Sequence, residues 1–380
     1  MNIIFFHHSQ IKCHFFKKGH CSFLKYFKEK FEYNSIVATS ILNAELEKAK
    51  PIIDVVNFSD GKKELSKKNI FFKELQYIIK NVKKIDVLFC YHFSTYSKIL
   101  CFLYKMMNKA GVTYIKMDCG ERYYKGFIGK FKLLFNSIAL KYIDIMSNEI
   151  KNATEHYKKL YSKMQNKIIN IPNPIKTDII QSAGFANITT NDKENLIITV
   201  ARIGSDQKNN EMMLNALDKI DMKGWKFAFI GDIEESFKIK INDFLRENPN
   251  LKDYIIFTEE IIEPKQLYDW YRRAKVFCLT SKFETFCNAQ TDSLYFGCYN
   301  ISTPVSGVED MFDNWRFGAK IENVNELRNI FKKIFDREIE PMEQFENIKE
   351  YAEKFYLSII CEKLKNAIDC YTNKEGEKLV

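Results

Sequence analysis

Two carboxylates, Glu284 and Asp292, stand eight positions apart between an apolar strand-like run, 275–280, and an apolar helix-like run, 288–296. Gly297 follows, a residue type that commonly ends a helix. The spacing predicts one acid on a loop above a sheet's carboxyl edge and the second about two turns into the helix, about 80° away around its axis. A polyhydroxylated, phosphorylated ligand at the helix N-terminus would meet both acids and free backbone amides.

Two cations follow the predicted strand 196–200. Arg202 lies just beyond the strand end, Gly204 allows a tight turn, and Lys208 stands at the mouth of the next predicted helix. Cations and exposed amides at a strand-to-helix turn suit a diphosphate group. An ordinary surface loop that happens to carry Arg and Lys is the alternative interpretation.

Further polar residues end other predicted strands. Gly231-Asp232 closes strand 225–230, where glycine permits a ligand to approach the backbone; a plain turn glycine would look the same. In the first half, Asp118 follows strand 112–116 and would either contact a ligand or cap a turn. His92 also follows a strand, and a structural histidine is the simpler interpretation of it.

The composition excludes several classes of protein. The 380 residues are 46% hydrophobic and 28% charged, which suits two globular domains. No apolar stretch approaches the roughly 20 residues that cross a bilayer, and the N-terminus has no signal-peptide pattern. The ten cysteines show no CxxC pairs and the six histidines no HExxH spacing. Reduced thiols, a cytoplasmic location and no metal site are therefore predicted.

The net charge of +9 is unevenly distributed, because residues 1–185 carry +16 and residues 186–380 carry −7. The basic half indicates an anionic partner surface. Its cations are mostly lysines scattered among apolar residues, without a nucleic-acid motif, so an anionic membrane is favoured over nucleic acid. Solvated lysines on helix faces would explain part of the excess.

Strand-like and helix-like runs alternate along the whole chain, which predicts parallel sheets covered by helices. Strands are expected at 2–6, 35–38, 52–57, 86–90, 112–116, 143–147, 196–200, 225–230, 254–257, 275–280 and 299–302. A polar, proline-marked linker is expected near 175–194, and one final helix over 351–371. The sum is an α/β protein of two doubly wound domains with a cleft between them.

Taken together, the ordered motifs of the second half resemble glycosyltransferase family 4, the retaining group 1 enzymes of GT-B fold. The motifs are Arg202…Lys208, Gly231-Asp232, 271–277, Glu284…Asp292, Gly297 and 303–305. The resemblance implies two Rossmann-like domains facing each other across a cleft. Residues 1–180 would bind the acceptor, residues 190–350 the nucleotide sugar, and the helix of 351–380 would pack back on the first domain.

The resemblance also implies a role for each matching residue. Arg202 and Lys208 would neutralise the donor diphosphate, Glu284 would face the transferred sugar, and Asp292 would accept hydrogen bonds from the ribose. The backbone around three further residues would line the sugar and phosphate: Phe286, Cys287 and Asn288. Asp118 occupies a position where relatives often place a polar residue against the donor sugar. No cofactor or metal is implied, because a nucleoside-diphosphate sugar is the substrate itself.

Two departures from the family pattern leave an alternative open. The second acid is Asp292 where relatives have Glu, and the usual Gly-Phe-Gly after the first acid is Thr285-Phe286-Cys287. A weak or inactive donor-binding partner of another transferase would carry such changes. An epimerase or dehydrogenase is disfavoured, because the first βα turn lacks GxGxxG.

The resemblance to the family implies the type of acceptor, and one segment of the sequence predicts where the protein is located. Lipid-linked saccharides of cell-surface polysaccharides, such as a capsule or an O-antigen, are common acceptors in this family. Residues 122–135 interleave Lys with large apolar residues, as in a basic helix lying on a membrane. Lysine stems extending past a sheet edge would give the same pattern. A cytoplasmic protein, peripheral on the inner face of the membrane, is predicted.

Overall fold

The computed structural model describes residues 1–11, 19–49, 53–59, 63–118, 120, 126–261 and 263–372. The chain divides into two compact units. The first contains Met1–Asn173 and the chain from Leu357 onward, and the second is the continuous segment Pro174–Tyr356. The predicted domain limits, 180 and 190, lie 7 and 16 residues beyond Asn173 and Pro174, respectively.

The first unit is built on a seven-stranded sheet in which every neighbouring pair is parallel. The strand order is β3-β2-β1-β4-β5-β6-β7. The strands are β1 (Asn2–Ile11), β2 (Asn34–Ile41), β3 (Asp54–Asn57), β4 (Val87–Tyr91), β5 (Val112–Met117), β6 (Ile145–Asn148) and β7 (Ile168–Asn170).

Helices cover both faces of this sheet. They are α1 (Gly19–Phe31), α2 (Asn43–Ala49), α3 (Lys67–Asn81), α4 (Thr95–Met107), α5 (Gly126–Ala139) and α6 (Lys151–Leu160). Alternate residues of β1 enter separate cores: Ile3 and Phe5 pack in one, and Ile4 and Phe6 in the other. Burial on both faces explains why these strands are nearly continuous apolar runs in the sequence.

The second unit is built on a six-stranded parallel sheet in the order β10-β9-β8-β11-β12-β13. Its strands are β8 (Glu194–Val200), β9 (Lys226–Ile230), β10 (Ile255–Phe257), β11 (Ala274–Leu279), β12 (Tyr299–Ser302) and β13 (Gly318–Lys320). Because all strands are parallel, the loops that leave their carboxyl ends lie along one edge of the sheet. That edge carries the predicted site residues of this unit.

The helices of the second unit are α7 (Thr177–Ser182), α8 (Glu211–Leu217), α9 (Glu235–Glu247), α10 (Pro264–Arg273), α11 (Asn288–Tyr295), α12 (Val308–Met311), α13 (Val324–Phe335) and α14 (Phe345–Ala352). One core is formed where α8, α9 and α13 pack on Phe227, Phe229 and Val276 of the sheet. On the opposite face, Tyr271 of α10 stacks on Phe277 with ring centroids 6.0 Å apart.

The last helix, α15 (Leu357–Thr372), packs in the core of the first unit. Its apolar side chains recur at helical spacing and join Phe5 and Phe23 in one core. These side chains are Leu357, Ile360, Cys361, Leu364 and Ile368. The first unit is therefore assembled from two segments of chain that are far apart in sequence.

The α/β class and the two Rossmann-like sheets are confirmed, but two sequence-based segments are wrong. The linker expected over 175–194 contains α7 and buries Ile180, Phe185 and Ile188, which are too sparse in the sequence to show a period. The single helix expected over 351–371 is broken: α14 ends at Ala352, a short 3₁₀ turn follows, and α15 begins at Leu357. β7, β13 and α13 were not predicted at all.

The helix α15 provides a stability test with an internal control. Leu364 is 2% exposed, whereas Ile359 on the same helix is 51% exposed. Leu364→Ala should lower the free energy of unfolding of the first unit by about 2–5 kcal/mol, because it leaves a cavity. Ile359→Ala should change it by less than about 0.5 kcal/mol. Urea unfolding followed by hydrogen exchange in β1 and α1 measures both, and equal effects would contradict the assigned packing.

Candidate functional site

Glu284 is held by three side chains at the carboxyl edge of the second sheet. Lys208 donates to its Oε1 across 2.5 Å, Ser281 donates to the same oxygen across 2.7 Å, and Gln207 lies 3.5 Å from Oε2. The Glu284 side chain is 8% exposed and that of Lys208 is 15% exposed. The two residues predicted to face the sugar and the diphosphate are thus in direct contact as an ion pair.

Gln207 connects this ion pair to Arg202. Its amide nitrogen donates to the carbonyl of Phe283 across 3.0 Å, and its amide oxygen accepts from the Arg202 guanidinium across 3.3 Å. Arg202 is otherwise exposed. Sequence reasoning missed Gln207 and Ser281. Gln207 stands directly before Lys208, and Ser281 lies two residues after the end of β11 and three before Glu284. Their polar side chains close to predicted site residues were the signal that could have identified them.

The two loops that carry these residues are joined by hydrogen bonds to backbone carbonyls of the loop after β8. The hydroxyl of Thr280 donates to the carbonyls of Lys208 and Asn209, at 3.1 and 2.9 Å. The amide of Lys282 donates to the carbonyl of Gln207 across 2.8 Å. The loop after β8 and the loop after β11 therefore form one connected unit, which fixes the distance between the cation and the acid.

Gly204 and Gly231 occupy positions that no other residue type fits easily. Gly204 has φ +91°, and a Cβ there would lie 2.3 Å from the Cβ of Phe237. Gly231 has φ +138°, and a Cβ there would lie 1.9 Å from the carbonyl oxygen of Ala201. Both are in the left-handed region that glycine tolerates. They bring the loop after β8 close to the end of β9, where Asp232 is exposed.

The residues around the start of α11 differ in exposure. Phe286 and Cys287 are buried at 8% and 5%, while Asn288 is exposed. Cys287 precedes the helix, and no side chain caps it by a hydrogen bond. Burial, and next the nearby charge of Glu284, raise the pKa of the Cys287 thiol to about 11. The thiol is therefore neutral at physiological pH and acts as a small apolar side chain.

Asp292 is the fifth residue of α11, about one turn from its start at Asn288 and not two turns as predicted. The angle between the two acids expected from helical spacing therefore does not apply, since Glu284 precedes the helix. Burial raises the pKa of Asp292 to about 6, and the Lys176 charge acts in the opposite direction. No described residue donates a hydrogen bond to its carboxylate. The carboxylate is thus placed to accept from a ligand.

Asp118 belongs to the first unit, where it follows β5. The Tyr91 hydroxyl donates to its Oδ2 across 2.9 Å. Nearby, Lys116 and Glu149 form a buried ion pair at 3.3 Å, and burial raises the pKa of Glu149 to about 7. His92 has φ +64°, and its ring lies 4.0 Å from that of Tyr91. These groups make the end of this sheet polar.

Within the described ranges, no three His, Cys, Asp or Glu side chains are grouped so that they could hold a metal ion. Arg202 and Lys208 are the cationic side chains that contact Gln207 and Glu284, respectively.

Residues 182–355 match the family described as glycosyl transferases, group 1. The matched segment covers nearly all of the second unit. It contains β8 through α14 and therefore all of the site residues named above except Asp118. A search of curated proteins finds no significant match to the sequence.

Solved structures of the same fold cover almost the whole chain. A glycosyltransferase from Rickettsia africae has a TM-score of 0.75 at 16% identity, over 97% of this chain and 98% of that one. The lipopolysaccharide outer core galactosyltransferase WaaB has a TM-score of 0.68 at 16% identity, over 97% of this chain and 99% of that one. HepE from Anabaena, in complex with UDP, has a TM-score of 0.69 at 10% identity, over 97% of this chain and 100% of that one. At these identities the likeness shows a shared fold, that of the GT-B glycosyltransferases.

The raised pKa of Asp292 predicts a pH-dependent effect of Asp292→Asn on stability. The carboxyl has an ordinary pKa of 3.8 and a folded pKa of about 6. Between these values the unfolded chain loses a proton that the folded chain keeps, so stability falls as pH rises. Removing the carboxyl should therefore stabilise the ligand-free protein by about 3 kcal/mol at pH 8 and progressively less as pH falls to 4.5.

The matched control for this measurement is Asp253→Asn, because Asp253 is an exposed carboxylate of the same unit. Denaturant unfolding at a series of pH values compares the two variants with the natural protein. A stabilisation by Asp292→Asn that is equally large at pH 4.5 and pH 8 would contradict the assignment of a buried, ionising carboxyl.

Proposed function

We propose that this chain is a retaining glycosyltransferase that moves a sugar from a nucleoside-diphosphate donor to a lipid-linked saccharide acceptor in cell-surface polysaccharide biosynthesis. The observation that carries the proposal is the contact of Lys208 with Glu284, joined to Arg202 through Gln207. It lies in the segment that matches the group 1 glycosyltransferases. HepE, a protein of the same fold, was solved with UDP, with UDP and glucose and with UDP-glucose.

The chemistry of sugar transfer explains the need for this arrangement. As the glycosidic bond to the donor breaks, a nucleoside diphosphate departs with growing negative charge. Arg202 and Lys208 supply positive charge at that point, and the uncapped start of α11 adds backbone amides. Cations already fixed in place stabilise the leaving group without reorganisation. A metal ion is not required in this proposal, since the two side chains take that role.

Glu284 is proposed to face the transferred sugar. In the ligand-free site its charge is balanced by Lys208, which has three donors and uses one on Oε1. Lys208 can therefore bind a phosphate oxygen while it still contacts Glu284. Retention is proposed to proceed by attack on the face from which the diphosphate leaves, and no side chain is assigned as a base.

Asp292 is proposed to accept hydrogen bonds from the ribose hydroxyls, as the resemblance implies. An open cavity beside Asp232 is lined by Phe257, Thr258 and Glu259 as well, and its free volume is about 450 Å³. It lies at the ends of β9 and β10 and would accommodate the nucleotide base. The acceptor is proposed to bind the first unit, where Asp118 and Tyr91 make the sheet end polar.

Donor binding is tested by thermal stabilisation with UDP, GDP and ADP and with their sugar derivatives. A ligand present at 100 times its Kd should stabilise the folded protein by about 2.7 kcal/mol. Lys208→Met should reduce the shift given by the preferred nucleotide, because the diphosphate loses a cation. Lys226→Met, at an exposed lysine that begins β9 at the opposite edge of the sheet, is the control. The absence of a shift with every nucleotide would refute the donor assignment.

Catalysis is tested by Glu284→Gln, which keeps the size of the side chain and removes its charge. Transfer should fall by about 10²–10³-fold, because the charge beside the reacting sugar is lost, while nucleotide binding persists. Glu247→Gln, at an exposed carboxylate that ends α9, should leave the rate unchanged. The anomeric configuration of the product, read by NMR coupling constants, checks retention.

A second function has a specific observation in its favour. Asp292 has a raised pKa and a shorter side chain than the Glu of related proteins, and the buried Cys287 occupies space that a glycine would leave open. Both features favour a catalytically weak or inactive donor-binding partner of another glycosyltransferase. Nucleotide-dependent stabilisation without transfer to any acceptor, unchanged by Glu284→Gln, would favour this alternative.

A peripheral location on the inner face of the cell membrane is proposed for the same reason as the lipid-linked acceptor. No helix among the described residues combines the length and the hydrophobicity needed to cross a bilayer. Contact with the membrane would therefore be made by a surface of the folded protein.

A further inference from the structure

Two neighbouring helices of the first unit, α4 and α5, present an apolar surface to solvent. They are joined by contacts along their length: the Lys98 ammonium donates to Oδ1 of Asn136 across 2.7 Å, and the ring of Phe102 meets that of Tyr142 edge-on at 4.7 Å. Tyr142 lies in the 3₁₀ turn that follows α5. The two helices therefore form one continuous part of the surface.

The apolar side chains on this surface are large and strongly exposed. On α5, Phe131 is 65% exposed, Leu134 59%, Phe135 41% and Ile138 48%. On α4, Phe102 is 37% and Met106 60% exposed. We call these six side chains the α4–α5 face. Leaving contiguous apolar surface in water is unfavourable, and such patches mark interaction sites.

The spacing of these residues shows that they are a second apolar stripe and not part of the core. Positions 131, 134, 135 and 138 recur at three and four residues, so they share one side of α5. On α4, Leu100, Cys101 and Tyr104 are buried in the core, whereas 102 and 106 point elsewhere. Phe102 also packs on Tyr142, but the buried core is complete without the other side chains of the α4–α5 face.

The helices α4 and α5 carry only positive charges, and the next acid along the chain, Asp144, is paired with Lys105 at 2.8 Å. Residues 87–117 and 126–143 contain no Asp or Glu. Four lysines of these ranges are exposed, and none forms an ion pair with a described residue. These are Lys109, Lys130, Lys132 and Lys141. An apolar centre with an unneutralised cationic border would repel a second copy of itself, because the copy would bring the same charges.

We propose that the α4–α5 face docks this protein on an anionic lipid bilayer. Phe131 and Leu134 would enter the boundary between headgroups and acyl chains, and the surrounding lysines would contact anionic headgroups. The proposal deepens the function proposed above, since it assigns the surface that would bring the first unit to a lipid-linked acceptor. The segment 122–135 predicted to contact a membrane overlaps this face only from residue 131, and α4 was not predicted to take part.

The test is co-sedimentation of the full chain with vesicles of phosphatidylcholine alone or with 30% phosphatidylglycerol, a composition of about physiological charge. Binding should require the anionic lipid and weaken with salt. The double variant Phe131→Glu/Leu134→Glu should bind at least about tenfold more weakly, because both insertion and charge attraction are lost. Both residues are exposed, so the fold should be retained, which circular dichroism verifies.

The matched control is Ile239→Glu/Ile359→Glu. These residues are 65% and 51% exposed on other helices and give the same change of net charge. This variant should bind within about twofold of the natural protein, since two charges that do not belong to the docking face alter only the long-range field. Equal losses in the two variants would show a non-specific charge effect and overturn the proposal.

Two further outcomes would also overturn it. One is unchanged vesicle binding by Phe131→Glu/Leu134→Glu. The other is a dimer in sedimentation equilibrium that this variant dissociates, because the face would then be covered by a second copy. The thermal shift given by the preferred nucleotide should be the same in all variants. Failure of vesicle binding with a retained nucleotide shift would therefore refute the docking face alone, and loss of the nucleotide shift in the natural protein would refute the donor assignment alone.

Discussion

Glu284 is a nearly buried carboxylate, and a buried carboxylate requires a counter-charge and donors to remain ionised. Lys208 supplies the positive charge. The Ser281 hydroxyl donates a hydrogen bond to the carboxylate, and the Gln207 amide nitrogen lies 3.5 Å from it. The loops after β8 and β11 are consequently held at a fixed separation, which the backbone contacts of Thr280 and Lys282 reinforce. Positive charge is thus in place before any ligand arrives.

This arrangement depends on the parallel sheet beneath it. β8 and β11 are adjacent in the sheet although 73 residues separate Val200 from Ala274, so their following loops meet without any special connection. Gly204 and Gly231 then allow the backbone to pass where a side chain would collide. The chemistry is local, but the contact that creates it is long-range in sequence.

Sequence patterns predicted the elements whose residues are apolar without interruption, such as β4, β5, β9 and β11. They failed for β13, a three-residue strand, and for α7, whose buried residues are too few to show a period. Within the site, the family order of motifs located Arg202, Lys208 and Glu284, while Gln207 and Ser281 were missed. Gln207 and Ser281 are recognised only by their hydrogen bonds to the loop that carries Glu284, and a local sequence pattern does not predict such contacts.

The raised pKa of Asp292 could not be read from the sequence for a related reason. Its neighbours in the sequence of α11 give no sign of the shift, because burial raises the pKa of Asp292. Burial, and next the charge of Asp292, raise the pKa values of Tyr268 and Tyr271 of α10. The helical-spacing estimate also failed, because the first acid precedes the helix.

The helix α15 gives the first unit an unusual order of assembly during synthesis. The second unit is one unbroken segment whose two ends meet, since Ile175 donates its amide to the carbonyl of Phe355 across 2.7 Å. It can close as soon as it leaves the ribosome. The first unit is translated earlier but lacks five core side chains until residues 357–368 emerge, so it remains incomplete while the second unit folds. Chaperone dependence should therefore concentrate on the N-terminal half of the nascent chain.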